Sequence, residues 1–365
     1  MKILIIWRLL TVGGVNAGWR NRAIYFKKRG ITTEFLYCKD LGGMHMMQDV
    51  ATVYLTQDTE EINQIILKNH YDAIVVVDTS KAYSWLEKVQ YDGPILVEAR
   101  TPEITKLSRN LNGVEKISPS LFIVPTSYQK RVLSILIDQH APIKVINNCL
   151  NTSFFRPLDQ GEIQLNHDPI LPKNKKVVAY IGRLDVRKNW RLLLRIAKSI
   201  RMERNDIEFW VIGGARSVER DLFEQEWKSQ GLTEVVKWFP VVPYQQMPHL
   251  YAKIRKSGGC TISTTKSESF GNTFIESMAC GVPVVAPDIS SVPEIVKHGE
   301  TGFLYKEEHV KGAAECIYRL IDRPHRYDEI SKTARNRVEE YFSLPVCSEQ
   351  YIQLLSQIVK RGNSN

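Results

Sequence analysis

Apolar positions along the chain return in two rhythms. Short runs rich in branched residues alternate with longer stretches in which apolar residues recur every three or four positions. Residues 2–7 predict a short strand. A loop holding Gly13 and Gly14 follows, then a helix with Trp19, Ala23 and Phe26 on one face. Further strands are expected at 33–37, 73–77, 94–98 and 122–125, with helices at 60–68 and 128–137. Over 156–173 the rhythm pauses in a stretch with three prolines, which predicts a linker. It resumes with strands at 177–181, 209–213, 235–239, 259–263 and 282–286. The intervening helices are expected up to 200 and over 218–230, 245–253 and 273–280, with a mostly helical tail from 313. Apolar strands alternating with helices imply parallel sheets covered on both faces. The expected class is therefore α/β, two doubly wound parallel-sheet domains of similar size, with the active site in the cleft between them. The expected boundaries are 1–155, linker 156–173, 174–345, and a terminal helix over 346–365 that crosses back onto the first domain.

Length and composition narrow this further. At 365 residues the chain is too long for one ordinary core. Its 43% hydrophobic and 24% charged residues are those of a globular protein. No apolar run approaches the ~20 residues of a membrane span, and Arg8 cuts short the opening run, which speaks against a secretory leader. A cytoplasmic protein is expected, with a peripheral seat at the inner membrane face as a further expectation. The six cysteines are scattered and form no C-x-x-C pair, so they read as small buried hydrophobes and not as zinc or redox ligands.

The net charge of +9 asks for an anionic partner. No nucleic-acid signature accompanies it, so nucleic acid is not an expected partner. One local cluster comprises Arg20, Arg22, Lys27, Lys28 and Arg29. It reads either as a solvated helix face or as a weak contact for anionic lipid headgroups or an anionic acceptor.

The chemistry concentrates in Glu268-Ser-Phe270-Gly271-Asn272-Thr273-Phe-Ile-Glu276, followed by Gly281-Val-Pro283. A strand ends before this stretch, Gly271 allows an unusual turn, and a helix is expected to begin near Asn272 as its cap. Helix amides at the C-terminal edge of a parallel sheet make a seat for phosphate. Glu268 and Glu276 border that seat, where carboxylates are useful as acceptors for sugar hydroxyls. A plain capped loop with a solvated helix acid fits the same residues.

A second element follows the strand at 177–181: Gly182-Arg183-Leu184-Asp185-Val-Arg-Lys188-Asn189. Cations before a helix N-terminus oppose the macrodipole, so they ask for an anion such as a diphosphate.

Together these elements resemble the retaining glycosyltransferases of the GT-B fold, and most of all the GT4 family (glycosyl transferases group 1). The resemblance is strong over 177–305 and weak over 1–150. It rests on the E-x7-E element, the Gly182–Asn189 element and Gly281-Val-Pro-Val-Val. Pro293-Glu294, Gly299…Thr301-Gly302-Phe303 and Asn147…Asn151…Phe155-Arg156-Pro157 add to it.

The resemblance implies that Arg183 and Lys188 bind the diphosphate, Glu276 the ribose and Glu268 the transferred sugar. Phe270, Gly271, Asn272 and Thr273 would supply amides, and the base would lie near Val241, Val242 and Pro243. Gly13 and Gly14 would face the acceptor. Many relatives carry a histidine where this chain reads Glu98-Ala-Arg100, so Arg100 stands in as an acceptor-side candidate. Ser290 and Ser291 replace common glycines before Pro293-Glu294.

No D-x-D occurs, so neither a metal nor any other cofactor is expected. The implied reaction moves a hexose-type sugar from a nucleotide diphosphate, UDP by family precedent, to a hydroxyl with retention. The acceptor is a carbohydrate, a lipid-linked precursor or a small molecule. Two alternatives share the fold: a nucleotide-sugar epimerase and a non-catalytic nucleotide-sugar-binding protein. A dinucleotide dehydrogenase is disfavoured because residues 13–18 do not read G-x-G-x-x-G.

Overall fold

The structure is a computed structural model that describes residues 1–11, 13–137, 141–163, 169–240 and 242–362. The chain forms two compact units, 1–150 with 341–365 and 151–340.

In the first unit the described strands are β1 (Lys2–Thr11), β2 (Thr32–Leu41), β3 (Thr52–Leu55), β4 (Ala73–Val77), β5 (Ile95–Glu98), β6 (Leu121–Val124) and β7 (Ile143–Val145). They pair in the order β3-β2-β1-β4-β5-β6-β7, with every rung parallel. Between them run α1 (Gly14–Lys28), α2 (Thr59–Lys68), α3 (Lys81–Lys88), α4 (Ile104–Leu111) and α5 (Ser127–Leu136). The inner strands β4, β5 and β6 are buried along their whole length because both faces are covered. In β1, Leu4 and Ile6 enter one core while Ile3 and Ile5 enter another, as a period of two demands. Local capping helps to set helix starts: Asp58 accepts from Glu61 N–H at 2.8 Å, and Thr126 from Gln129 N–H at 3.2 Å.

The second unit contains β8 (Lys176–Ile181), β9 (Ile207–Ile212), β10 (Val236–Phe239), β11 (Cys260–Ile262), β12 (Val284–Pro287) and β13 (Gly302–Tyr305). Their order is β10-β9-β8-β11-β12-β13, again all parallel. Its helices are α6 (Trp190–Glu203), α7 (Val218–Ser229), α8 (Met247–Ser257), α9 (Asn272–Ala279), α10 (Val292–Ile295), α11 (Val310–Ile321) and α12 (Pro324–Arg337). The chain then re-enters the first unit as α13 (Leu344–Gly362). Cys347, Tyr351 and Leu355 lie on its buried stripe. No helix among the described residues is long and apolar enough to cross a membrane.

The chain passes between units at 150/151, earlier than the proline-rich 156–173. Phe155 is buried against the Tyr244 and Tyr251 rings, and Arg335 donates to its carbonyl at 2.7 Å, so the stretch before the prolines already belongs to the second unit. The return falls at 340/341 and not after 345, because Leu150 exchanges backbone hydrogen bonds with Phe342 and Leu344 at 2.8 Å each. Six elements exceed the pattern expected from sequence: β3, α3, α4, β7, α10 and β13. β3 is a partly exposed edge strand with little apolar contrast. α4 buries only Leu107 and Leu111. Gly302 and Phe303 read as a turn but pair with β12. All six cysteines are buried and unpaired, as expected from their scatter.

Candidate active site

In the second sheet the chain winds outward from β8 through β9 to β10, then crosses to β11 on the other side of β8. The loops after β8 and β11 therefore diverge at the carboxyl ends of two adjacent strands, the place where open α/β sheets bind ligands. Arg183 and Lys188 lie in the first loop, and Glu268 through Gly271 in the second.

Gly271 is itself the cap of α9, with φ of 91°, and Asn272 is the first helical residue. The expectation of an Asn272 cap is corrected: the helix starts by a left-handed glycine and not by a side-chain hydrogen bond. A Cβ at Gly271 would lie 2.5 Å from two ring carbons of Phe274. Gly271→Ala is therefore expected to cost ~1–3 kcal/mol in a denaturant titration and to weaken nucleotide binding through a displaced start of α9.

Glu268 is nearly enclosed; its side chain is 8% exposed. Its carboxylate accepts from Lys188 Nζ, and Arg187 Nη1 stands 3.5 Å away. The two loops are stitched together around this pair. Arg187 donates to the Ser267 carbonyl at 2.7 Å, Thr264 donates to the Lys188 carbonyl at 2.9 Å, and Lys266 N–H donates to the Arg187 carbonyl at 2.8 Å. Asp185 accepts from Lys188 N–H at 2.7 Å, which turns the backbone into α6. Lys188, Thr273 and Phe274 line one small cavity, so the ammonium sits beside the positive end of α9. An ammonium has three donors, enough to hold a carboxylate and a phosphate together.

Arg183 leaves the same strand end but is 71% exposed, paired only loosely with Asp185 at 3.1 Å. Glu276 lies just over a turn into α9 and accepts from the Tyr251 hydroxyl at 3.0 Å. Desolvation pushes its carboxyl up to about 7, against the lowering effect of that hydroxyl. The structure thus brings together Lys188, Glu268 and Thr273, with Phe270–Asn272 between the last two in the chain. It places Arg183 in solvent at the edge of the group and Glu276 against α8. Val242 follows β10 at the same carboxyl edge of the sheet. Val241 lies outside the described residues.

Two residues of this neighbourhood were not singled out from the sequence. Arg187 shares Glu268 with Lys188, and its place beside Lys188 in Arg187-Lys188 was the available signal. Tyr251 holds Glu276, and nothing local in the sequence connects α8 to α9.

In the first unit, Gly13 and Gly14 begin α1 at the carboxyl end of β1. β1 and β4 are the adjacent strands from which that sheet winds in opposite directions. Arg100, suggested for the acceptor side, is turned inward. Its guanidinium is buried, bonded to Glu98 at 2.8 Å and to Asn148. The basic helical cluster is likewise not a continuous cationic face. Arg22 is 2% exposed, between the Trp19 and Tyr351 rings. Arg20 is tied to Asp49 and Arg29 to Glu349, so the cluster reduces to exposed Lys27 and Lys28.

Residues 164–337 match the family described as glycosyl transferases group 1. The D-inositol 3-phosphate glycosyltransferase of Rhodococcus erythropolis is 26% identical over 253 residues, covering 67% of this chain and 55% of that protein. Sucrose synthase isoform 2 of Daucus carota is 26% identical over 264 residues, 68% of this chain and 32% of that protein. The match thus spans about half or less of these two curated relatives. Among solved structures, Anabaena Alr3699/HepE in complex with UDP and glucose superposes with a TM-score of 0.85 at 20% identity, covering 98% of this chain and 99% of that one. Sucrose-phosphate synthase from Thermosynechococcus elongatus gives 0.83 at 20% identity, over 99% and 100%. With its two parallel-sheet domains the chain has the GT-B fold, and its residues 164–337 are similar to the glycosyl transferases of group 1.

Proposed function

We propose that the protein transfers a hexose-type sugar from a UDP-sugar to an acceptor hydroxyl, with retention at the anomeric carbon and without a metal ion. The observation that carries this reading is the Lys188–Glu268 pair seated beside the start of α9 at the switch point of the second sheet. The solved relative that holds UDP and glucose on the same fold supports the choice of nucleotide.

In this reading the bond from the anomeric carbon to the diphosphate oxygen breaks, and a bond to the acceptor oxygen forms on the same face. The acceptor proton passes to the departing phosphate. Lys188, the exposed Arg183 and the positive end of α9 stabilise the negative charge that grows on the diphosphate. Glu268 holds hydroxyls of the sugar and offsets the positive charge at its anomeric carbon. Glu276 accepts from the ribose hydroxyls. The buried acid is useful there because desolvation makes a carboxylate avid for donors. Val242 lines the base. Gly13 and Gly14, in the other unit, are assigned to the acceptor side, and Arg100 is withdrawn from that role.

The test is incubation with UDP-, GDP- and dTDP-sugars, with and without EDTA, followed for nucleotide release. Release from a UDP-sugar that survives EDTA, with an α-linked product from an α-linked donor, supports the proposal. An isomerised UDP-sugar with no UDP released, or binding without turnover, contradicts it.

Glu276 makes donor binding pH-dependent. Its folded pKa of about 7 exceeds the ordinary carboxyl value of 4.5, so the free protein keeps that proton across the interval. Hydroxyl donors of a bound ribose favour the carboxylate, so binding releases the proton. Affinity for UDP-glucose is expected to rise by up to about tenfold per pH unit and to level off above about 7. In Glu276→Gln the slope disappears. Calorimetry with UDP-glucose is the suitable measurement, because the terminal phosphate of UDP itself titrates near about 6. Stability has the opposite sign: ionising Glu276 in the free protein costs more as pH rises from 4.5 to about 7.

A further inference from the structure

Two serines in the loop between β12 and α10 grip the backbone of Glu268 from both sides. Ser290 Oγ accepts from Glu268 N–H at 3.0 Å, and Ser291 Oγ donates to the Glu268 carbonyl at 2.8 Å. Both contacts reach across from β12 to the loop of its sheet neighbour β11.

Each serine gives up something local to make its contact. Ser290 has φ of 43°, a left-handed conformation that glycine adopts freely and that disfavours a side chain. Strain of this kind persists only where the surroundings over-determine it. Ser291 occupies the cap position of α10, where a serine ordinarily accepts from an amide of its own helix. Here it makes no side-chain cap bond, and its hydroxyl is turned to Glu268 instead. It is fully buried, so water does not supply an alternative partner. Two adjacent hydroxyls thus meet the N–H and C=O of one residue.

We propose that Ser290 and Ser291 are positioning residues that set the placement of the Glu268 carboxylate against the transferred sugar. The proposal rests on the role assigned to Glu268 above. Lys188 and Arg187 hold the carboxylate end, and the two serines hold the backbone end, so the side chain is fixed at both extremities. A shift of even an ångström in such a group is felt in the chemical step more than in binding.

The experiment compares the wild-type protein with Ser290→Gly, Ser291→Ala and Glu268→Ala. It follows UDP release from UDP-glucose, the affinity for UDP alone and the thermal midpoint. Ser290→Gly removes the hydroxyl and relieves the left-handed strain, so its midpoint is expected to equal or exceed that of the wild type. Its turnover nevertheless falls by about tenfold, while affinity for UDP, which lacks the sugar, stays within about twofold. Ser291→Ala lowers turnover by at least as much. If Ser291→Ala does not fold, Ser290→Gly decides alone. Turnover in Ser290→Gly within about twofold of wild type, while Glu268→Ala has lost it, overturns the positioning role and leaves the functional reading standing. Full turnover in Glu268→Ala, or none in the wild type, overturns the functional reading and the positioning role together.

Discussion

Lys188→Ala is expected to slow turnover of UDP-glucose by ~10²-fold or more, the usual loss when one fixed partner of a developing charge is removed. The loss belongs in kcat more than in KM, because charge on the diphosphate grows as the sugar departs. The variant is expected to fold. Its Glu268 carboxylate retains Arg187 Nη1 at 3.5 Å, so no buried acid is stranded without a cation. Lys188→Arg is not expected to restore the rate. The ammonium meets the Glu268 carboxylate in a small cavity that Lys188 lines with Ser263, Thr273 and Phe274, and a planar guanidinium is larger and carries its donors in a different geometry. Single-turnover rates with saturating UDP-glucose measure the effect, and a rate within about twofold of wild type removes Lys188 from the reaction.

The second large effect is on stability. Glu98 is fully buried and accepts from Arg100 Nε at 2.8 Å, from the Tyr351 hydroxyl at 2.9 Å and from Trp19 Nε1 at 3.3 Å. Burial raises its pKa, but Arg100, Arg22 and Tyr351 outweigh that effect and hold the carboxyl below its ordinary range. Glu98→Ala strands the buried Arg100 and Arg22 side chains without their anion. The expected cost is ~3–5 kcal/mol in urea unfolding. Tyr351→Phe removes only one hydrogen bond and should cost about 1 kcal/mol. The pair also sets an acid limb: a depressed carboxyl contributes stability above the ordinary value of 4.5, and this is lost as pH falls through its lowered pKa. Because Tyr351 belongs to α13, loss of Glu98 should release that helix first, visible as early exchange of its amides.

Much of the second unit was legible from residues alone. Gly271 announces a backbone that only glycine tolerates, and the alternation of β8, β9 and β11 announces a parallel sheet, so the placement of Lys188 and Glu268 at neighbouring strand ends follows. What escaped notice depends on contacts between distant segments. Ser290 and Ser291 lie more than twenty residues beyond Glu268, and only the pairing of β12 with β11 brings them to it. Tyr251 reaches Glu276 from another helix. The basic face of α1 misled for the same reason. Helical spacing puts Arg22 near Arg20, but Tyr351, far along the chain, covers it and turns an apparent surface cation into a core one. Arg100 was read as an acceptor-side candidate from the resemblance alone, and nothing local showed that Glu98, two residues away, binds it in the interior.

The most direct measurement is a crystal structure of the protein with UDP-glucose. Diphosphate oxygens are expected within hydrogen-bond reach of Lys188 Nζ at the start of α9, hexose hydroxyls on Glu268, and ribose hydroxyls on Glu276. A nucleotide seated elsewhere, with the Lys188–Glu268 pair touching no part of it, would contradict the account.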